Sequence, residues 1–336
     1  MKKILYIGNN LNNKKANTSA IQVLGALLEK EGYTLYYASS KTNKVLRLLD
    51  MVKACVRLSK KVDYVLIDTY STTNFYYALV VSQICSFLKL KYIPILHGGN
   101  LPSRLESSPF LSELIFKNAY NNISPSLYLL EAFKNAGYKK VEFIPNTIEI
   151  EKYAFKKRNL ETIDLLWVRS FSEIYNPSLA IKVLKGLKEE GIFATLCMVG
   201  PDSDGTLQEV KQFAEELQVE VVFTGKLTKE EWIRLSENYT LFLNTTNFDN
   251  MPVSVIEAMA LGLPVISTNV GGMPFLIQHK EEGLLVEKEN VASFISAIKG
   301  LVNTPKETER MANNARKKVE TFDWENVKHK WFKVLA

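Results

Sequence analysis

Cysteine is scarce: the chain of 336 residues has three, Cys55, Cys85 and Cys197, and none forms a Cys-x-x-Cys pair. Neither a disulfide framework nor a zinc site follows from such scattered thiols, and a reducing cytosol fits. Long apolar runs are also missing. The longest, residues 75–90, is broken by Ser82, Gln83 and Ser86. A membrane span needs about 20 residues, so this run reads as a buried helix. The opening Met1-Lys2-Lys3-Ile4-Leu5-Tyr6-Ile7 is basic but has too little apolar length for a signal peptide, and reads as a first strand. There is no low-complexity segment. The basic first half lacks the interleaved aromatic platforms of a nucleic-acid binder.

What is present is enough for two ordinary domains: 336 residues, 46% of them hydrophobic. The net charge of +6 is unevenly divided. Residues 1–160 hold 23 Lys+Arg against 11 Asp+Glu, and the remainder 19 against 25. Such a split suggests that the first half meets something anionic. Apolar runs alternate with helical patterns throughout. Strands are expected at residues 4–7, 34–38, 62–67, 92–96, 122–124 and 141–144, around helices such as 18–31 and 75–88. The charged stretch 149–162 reads as a linker. A second series has strands at 164–168, 195–199, 221–223, 241–243 and 265–266. Strand–helix alternation implies parallel sheets covered on both faces. The expected architecture is α/β: two Rossmann-like, doubly wound domains facing a cleft, over residues 1–150 and 151–320. Ligands of such sheets bind at the carboxyl ends of strands, and His97, Arg169 and Asp249 fall just past predicted strand ends.

The most informative run is Asn247-Phe248-Asp249-Asn250-Met251-Pro252-Val253-Ser254-Val255-Ile256-Glu257. It leads from a strand through a polar loop into a helix. Pro252 suits the first helical position, because its missing N–H has no partner there anyway. The amides of Val253 and Ser254 then point out of the helix start, where anions bind well. Glu257 lies on the same face, four and three residues on. An anion and a hydroxyl-bearing group are thereby held side by side. A nucleoside diphosphate is such a ligand: its diphosphate meets the amides and its ribose diol meets Glu257.

These residues, together with the motifs on their C-terminal side, resemble glycosyltransferase family 4, retaining enzymes of the GT-B fold. Asp249-x7-Glu257 followed by Ala-Met-Ala-Leu-Gly-Leu-Pro-Val-Ile-Ser-Thr is similar to the family's Glu-x7-Glu motif and next strand. Val270-Gly271-Gly272-Met273-Pro274 and Glu282-Gly283-Leu284-Leu285-Val286 match the next two blocks. Ile144-Pro145-Asn146 stands where the family carries Pro-Asn-Gly. The end of the chain, residues 321–336, is similar to a helix that returns toward the first domain. The resemblance implies roles by position. Glu257 binds the ribose hydroxyls, Asp249 faces the transferred sugar, and Arg169 pairs with the diphosphate. His97, before Gly98-Gly99, lies near the sugar. Gly8 allows close approach of the backbone to the donor, and Met251, Pro252, Val253 and Ser254 line the diphosphate loop. The implied reaction moves a sugar, expected from a UDP-sugar, onto a glycan or lipid-linked glycan. It is a front-face substitution in which the leaving diphosphate takes the acceptor's proton. It needs no metal and no cofactor, and the expected place is the cytoplasm or the inner face of the cell membrane.

Three departures from the family pattern stand out. Tyr175 occupies the place of a lysine that partners the arginine. The first loop reads Lys14-Lys15-Ala16-Asn17 in place of a Gly-Gly pair, and Lys14 or Lys15 is expected to supply some of the missing positive charge. Thr147 replaces the glycine after Asn146, and a β-branched residue resists positive φ. The alternatives left open are a non-catalytic nucleotide- or glycan-binding protein and a sugar-nucleotide epimerase of the same fold. Asp68, Arg104 and Glu106 are further candidates for lining the cleft, or for caps and loop contacts. Residues 42–61 mix Val45, Leu48, Leu49, Val52, Val56 and Leu58 with Lys44, Arg47, Lys53, Arg57, Lys60 and Lys61. Such a helix lies on an anionic membrane, or packs on its own sheet with a solvated basic face.

Overall fold

The computed structural model describes residues 2–11 and 19–336. The chain divides into two compact units. One comprises the described residues up to Asn146 together with Val327–Ala336, and the other residues 147–326. Lys14 and Lys15 lie outside the described residues.

The first unit holds six parallel strands: β1 (Lys3–Ile7), β2 (Thr34–Ala38), β3 (Tyr64–Thr69), β4 (Lys91–Leu96), β5 (Asn122–Ser124) and β6 (Val141–Phe143). Their order in the sheet is β2-β1-β3-β4-β5-β6. Between and after them run α1 (Ala20–Lys30), α2 (Lys44–Leu58), α3 (Thr73–Phe87), α4 (Leu101–Ser107), α5 (Pro109–Phe116) and α6 (Leu127–Asn135). All six residues of β3 are buried, as a central parallel strand covered on both faces requires. Met51, Ala54, Cys55 and Leu58 of α2 join Val65, Ile67 and Val81 in one core, so this helix does pack on its own sheet.

The second unit repeats the plan with β7 (Ile163–Val168), β8 (Ala194–Val199), β9 (Val222–Gly225), β10 (Leu241–Asn244), β11 (Val265–Thr268) and β12 (Leu284–Val286). The order here is β12-β11-β10-β7-β8-β9, again all parallel. Its helices are α7 (Pro177–Glu189), α8 (Thr206–Glu216), α9 (Lys229–Ser236), α10 (Val253–Ala260), α11 (Met273–Leu276), α12 (Val291–Asn303) and α13 (Pro305–Glu320). The last helix, α14 (Trp324–Val334), begins in this unit and ends in the first, where Tyr64 Oη donates to the Ala336 carbonyl at 2.6 Å. The two-residue period of the strands splits the side chains between two cores. Leu165, Trp167, Leu241 and Leu243 face one side, while Leu166 and Phe242 face the other with Val255, Ile256 and Met259 of α10.

Thr147 takes no positive φ. Its hydroxyl donates to the Phe322 carbonyl at 2.8 Å, and Ile148 pairs with residues 322–324 through N–H to Phe322 O at 3.2 Å and O to Trp324 N–H at 2.9 Å. A side chain thus does at this crossing what a flexible glycine would not.

Candidate active site

The loop between β10 and α10 is held from several sides. Trp167 Nε1 donates to Thr245 Oγ1 at 2.9 Å, whose own hydroxyl donates to the Tyr175 carbonyl at 2.9 Å. Thr268 Oγ1 donates to the Thr246 carbonyl at 2.6 Å. The next loop presses against it so closely that only glycine fits. A Cβ on Gly271 would fall 2.2 Å from the Asp249 carbonyl, and one on Gly272 1.8 Å from that of Asn250. The Gly272 amide uses this approach to donate to Asp249 O at 2.9 Å.

Asp249 is thereby set at the carboxyl end of the sheet, where it forms an ion pair with Arg169, which follows β7. Both side chains are largely buried. The Arg169 guanidinium also lies 3.9 Å from the centre of the Tyr175 ring. Tyr175 therefore holds the arginine by cation–π attraction, and is more than packing. Arg169 Nε is buried and has no hydrogen-bond partner, and so is Ser254 Oγ at the start of α10. A buried donor without an acceptor costs about 1–3 kcal/mol. These two groups, one just after β7 and one in the first turn of α10, are donors that an acceptor-rich ligand can satisfy. The first amides of α10 add two more donors, since a helix start leaves them unpaired within the helix.

The helix begins one residue later than the sequence suggests. Pro252 is its cap, with φ −68° and ψ 122°, and its carbonyl accepts from Val255 and Ile256 at 3.2 Å each. The consequence for the site is small, because Val253 and Ser254 remain the first two amides. Met251 and Pro252 are buried beneath them.

Glu257 is 3% exposed. Two groups meet its Oε1: Tyr153 Oη, donating at 2.8 Å, and Lys229 Nζ in an ion pair. Burial, and then the neighbouring Glu257 charge, push the Tyr153 phenol far above its ordinary pKa, so it stays a donor. Lys229 opens α9, whose start is fixed by a capping box. Glu231 N–H donates to Thr228 Oγ1 at 3.2 Å, and Thr228 N–H donates to Glu231 Oε2 at 2.7 Å. Neither Tyr153 nor Lys229 is predicted as a site residue from sequence. The Thr-x-x-Glu pattern signals the helix start, but nothing local points it at Glu257. Beside the Asp249 loop opens a cavity of about 560 Å³, lined by residues that follow β10, β11 and β12: Asn247, Phe248, Val270, Gly271, Glu287 and Lys288.

His97, Gly98 and Gly8 belong to the first unit and form a separate cluster there. Asp68 Oδ1 accepts from Tyr6 Oη at 3.0 Å and meets His97 Nε2 at 2.9 Å. The Tyr70 ring stacks on His97 with centroids 5.3 Å apart. Gly8 is required by proximity, as a Cβ there would come 2.5 Å from Asp68 Oδ2. Gly98 is equally tight, with its Cβ position 2.6 Å from the Ser71 nitrogen, and Gly99 follows in the turn. Arg104 Nε donates to the Ser71 carbonyl at 2.8 Å and its guanidinium lies over Phe75 and Tyr76, while Glu106 is exposed. Among the described residues no group of three or more His, Cys, Asp or Glu side chains is arranged to hold a metal ion.

A fold of two such parallel-sheet units has counterparts. The family described as glycosyl transferases group 1 matches residues 149–318, half of the chain, and the chain belongs to that family. It is 24% identical over 307 residues to protein CapJ of Staphylococcus aureus, covering 78% of this chain and 74% of that one. It is 30% identical over 100 residues to an uncharacterized glycosyltransferase of Haemophilus influenzae, covering 30% of this chain and 28% of the relative. The chain thus spans little more than a quarter of the Haemophilus protein. Among solved structures, Anabaena HepE in complex with UDP-glucose superposes with a TM-score of 0.80 at 18% identity, over 100% of this chain and 99% of that one. The fold is GT-B.

Proposed function

We propose that this protein is a retaining glycosyltransferase of family 4. In this reading it moves a sugar from a nucleoside diphosphate, most simply UDP, to a glycan or lipid-linked glycan. The observation that carries the proposal is a pair of unsatisfied donors in the second unit, Arg169 Nε after β7 and Ser254 Oγ in the first turn of α10, both buried without acceptors. A diphosphate supplies those acceptors, and Arg169 binds it with charge-assisted hydrogen bonds. One helical turn further on, Glu257 offers a carboxylate for the ribose diol, with Tyr153 and Lys229 as its partners until the ligand arrives. UDP-glucose, the ligand of Anabaena HepE, has this chemistry.

The second unit is then the donor side and the first unit, with His97 and Asp68, the acceptor side. The leaving diphosphate takes the proton of the acceptor hydroxyl as the C–O bond to the sugar breaks and the new one forms on the same face. Arg169 and the α10 amides stabilise the charge that develops on the phosphate. Asp249 holds Arg169 before the donor binds and faces the sugar afterwards. No metal or cofactor enters this scheme. The site of action is the cytoplasm, at the inner face of the membrane where lipid-linked acceptors are exposed.

A second reading rests on Tyr175. A ring orients the arginine but adds no positive charge, so the protein would bind donor without turning it over. A panel of nucleoside diphosphates in a thermal melt tests the common part. Ligand binding to the folded state raises the melting temperature with the logarithm of ligand excess. UDP is expected to shift the wild type and to shift Glu257→Gln much less, the lost charged hydrogen bond being worth about 1.5–3 kcal/mol. No shift with any diphosphate overturns the proposal. Acceptor-dependent release of UDP then marks transfer, conversion of the UDP-sugar to its epimer without acceptor marks epimerisation, and neither change marks binding alone.

A further inference from the structure

Helix α2 is apolar on two opposite faces. Met51, Ala54, Cys55 and Leu58 are buried against the sheet. Val45, Leu49, Val52 and Val56 follow at intervals of four, three and four residues, which places them in one row along the opposite face. Val45 is 67% exposed, Leu49 58% and Val56 56%, while Val52 is half-buried. Leu46, 55% exposed, widens the row. A helix on the surface of a globular protein turns polar side chains outward, and a contiguous exposed apolar patch marks a contact surface.

The charges around the row have one sign. Lys53 and Arg57 flank it, Lys44 precedes it, and Lys60 and Lys61 follow the helix, all exposed. Among the described residues none of these five is in an ion pair. Arg47 is set apart: it is buried and donates to Lys41 O, Thr42 O and Asn9 Oδ1. The sole acid of the helix, Asp50, accepts from Ser39 Oγ at 2.6 Å.

We infer that the outer face of α2 docks on an anionic lipid bilayer, its aliphatic row at the boundary of headgroups and acyl chains and its cations among the headgroups. Apolar contact and a uniform positive rim are the two requirements of such a surface. A second copy of the chain fits poorly, because a two-fold contact through α2 sets the same cations against one another. Among the described residues no helix is long and apolar enough to cross a membrane, so the contact is with the surface. The inference does not depend on the donor site.

Co-sedimentation tests it, with vesicles of phosphatidylcholine alone and of phosphatidylcholine with phosphatidylglycerol. The wild type is expected to pellet with the anionic vesicles at low salt and to be released at high salt. Lys53→Gln with Arg57→Gln is expected to weaken binding about 25-fold, since each cation near such a surface contributes about 1 kcal/mol. Leu49→Glu with Val56→Glu is expected to abolish it. Both pairs change exposed positions, and an unaltered melting temperature confirms that they fold. Absence of the wild type from the anionic pellet at low salt overturns the inference. So does equal binding to neutral vesicles, or sedimentation as a dimer that Leu49→Glu with Val56→Glu breaks.

Discussion

Both units place a carboxylate near the carboxyl end of a parallel sheet, and they treat it in opposite ways. In the first, Asp68 is enclosed: Tyr6 and His97 share one oxygen, and the Gly8 backbone lies against the other. In the second, Asp249 is paired with Arg169, and the arginine keeps a buried N–H with no acceptor. One architecture therefore carries a closed polar network and an open one. The closed network contributes to stability through its satisfied hydrogen bonds. The open one retains an unsatisfied donor that a ligand can meet, which makes it the better marker of a binding site.

The largest effect is expected where the open network is broken. Arg169→Ala should lower transfer from a UDP-sugar about 100- to 1,000-fold, by analogy with loss of one donor to a developing oxyanion. Steady-state rates check this, and a loss below tenfold would show that Arg169 is a scaffold residue like its counterparts in the first unit. Gly272→Ala should rank next. Its Cβ would stand 1.8 Å from the Asn250 carbonyl, so the loop must move, at a cost of about 1–3 kcal/mol in urea unfolding and with loss of UDP affinity. Breaking the closed network should affect stability first. Asp68→Ala leaves the Tyr6 hydroxyl buried without its acceptor, costing about 1–3 kcal/mol. A melting temperature equal to that of the wild type would dissolve the contrast between the units.

A pH series sharpens the same comparison. Burial, followed by the Asp68 charge, raises the Tyr6 phenol well above its ordinary pKa. In the unfolded chain that phenol ionises near pH 10, so its contribution is intact below that pH. It is lost as pH rises toward the folded value, at about 1.4 kcal/mol per pH unit. Tyr6→Phe should unfold with a shallower alkaline slope than the wild type, and an identical slope would remove Tyr6 from the account. The smallest effect is expected at Lys229, whose side chain is 43% exposed in its pair with Glu257. The Glu257 end is buried, but the ammonium end is open to water, which screens the pair to about 1 kcal/mol. Lys229→Ala should therefore leave stability nearly unchanged and UDP affinity unchanged or slightly tighter by calorimetry. Weaker UDP binding would show that Lys229 touches the nucleotide.

Much of this was legible locally. The β10–α10 run announces a strand, a loop and an acid-bearing helix start through Pro252 and the spacing of Asp249 and Glu257, because those signals lie close together along the chain. Gly271-Gly272 could be seen, but not that the pair is squeezed against Asp249 and Asn250. The offset of one residue at Pro252 has a similar origin: proline fits the cap and the first turn alike, and the carbonyl contacts decide between them. Residues 42–61 likewise read as one basic amphipathic helix, and only the structure shows that Met51, Ala54, Cys55 and Leu58 are covered while Val45, Leu49 and Val56 stay exposed.

The amino-acid sequence alone determined the alternation of strands and helices, the two sheets and the place of the helix start at Pro252, because period, caps and turn residues act over a few positions. Tertiary structure alone decided that Tyr153, 104 residues away, and Lys229, 28 residues away, would converge on Glu257, and that Tyr175 would lie under Arg169. Strand order and register bring those atoms together, and no short-range pattern encodes a distance between residues so far apart along the chain.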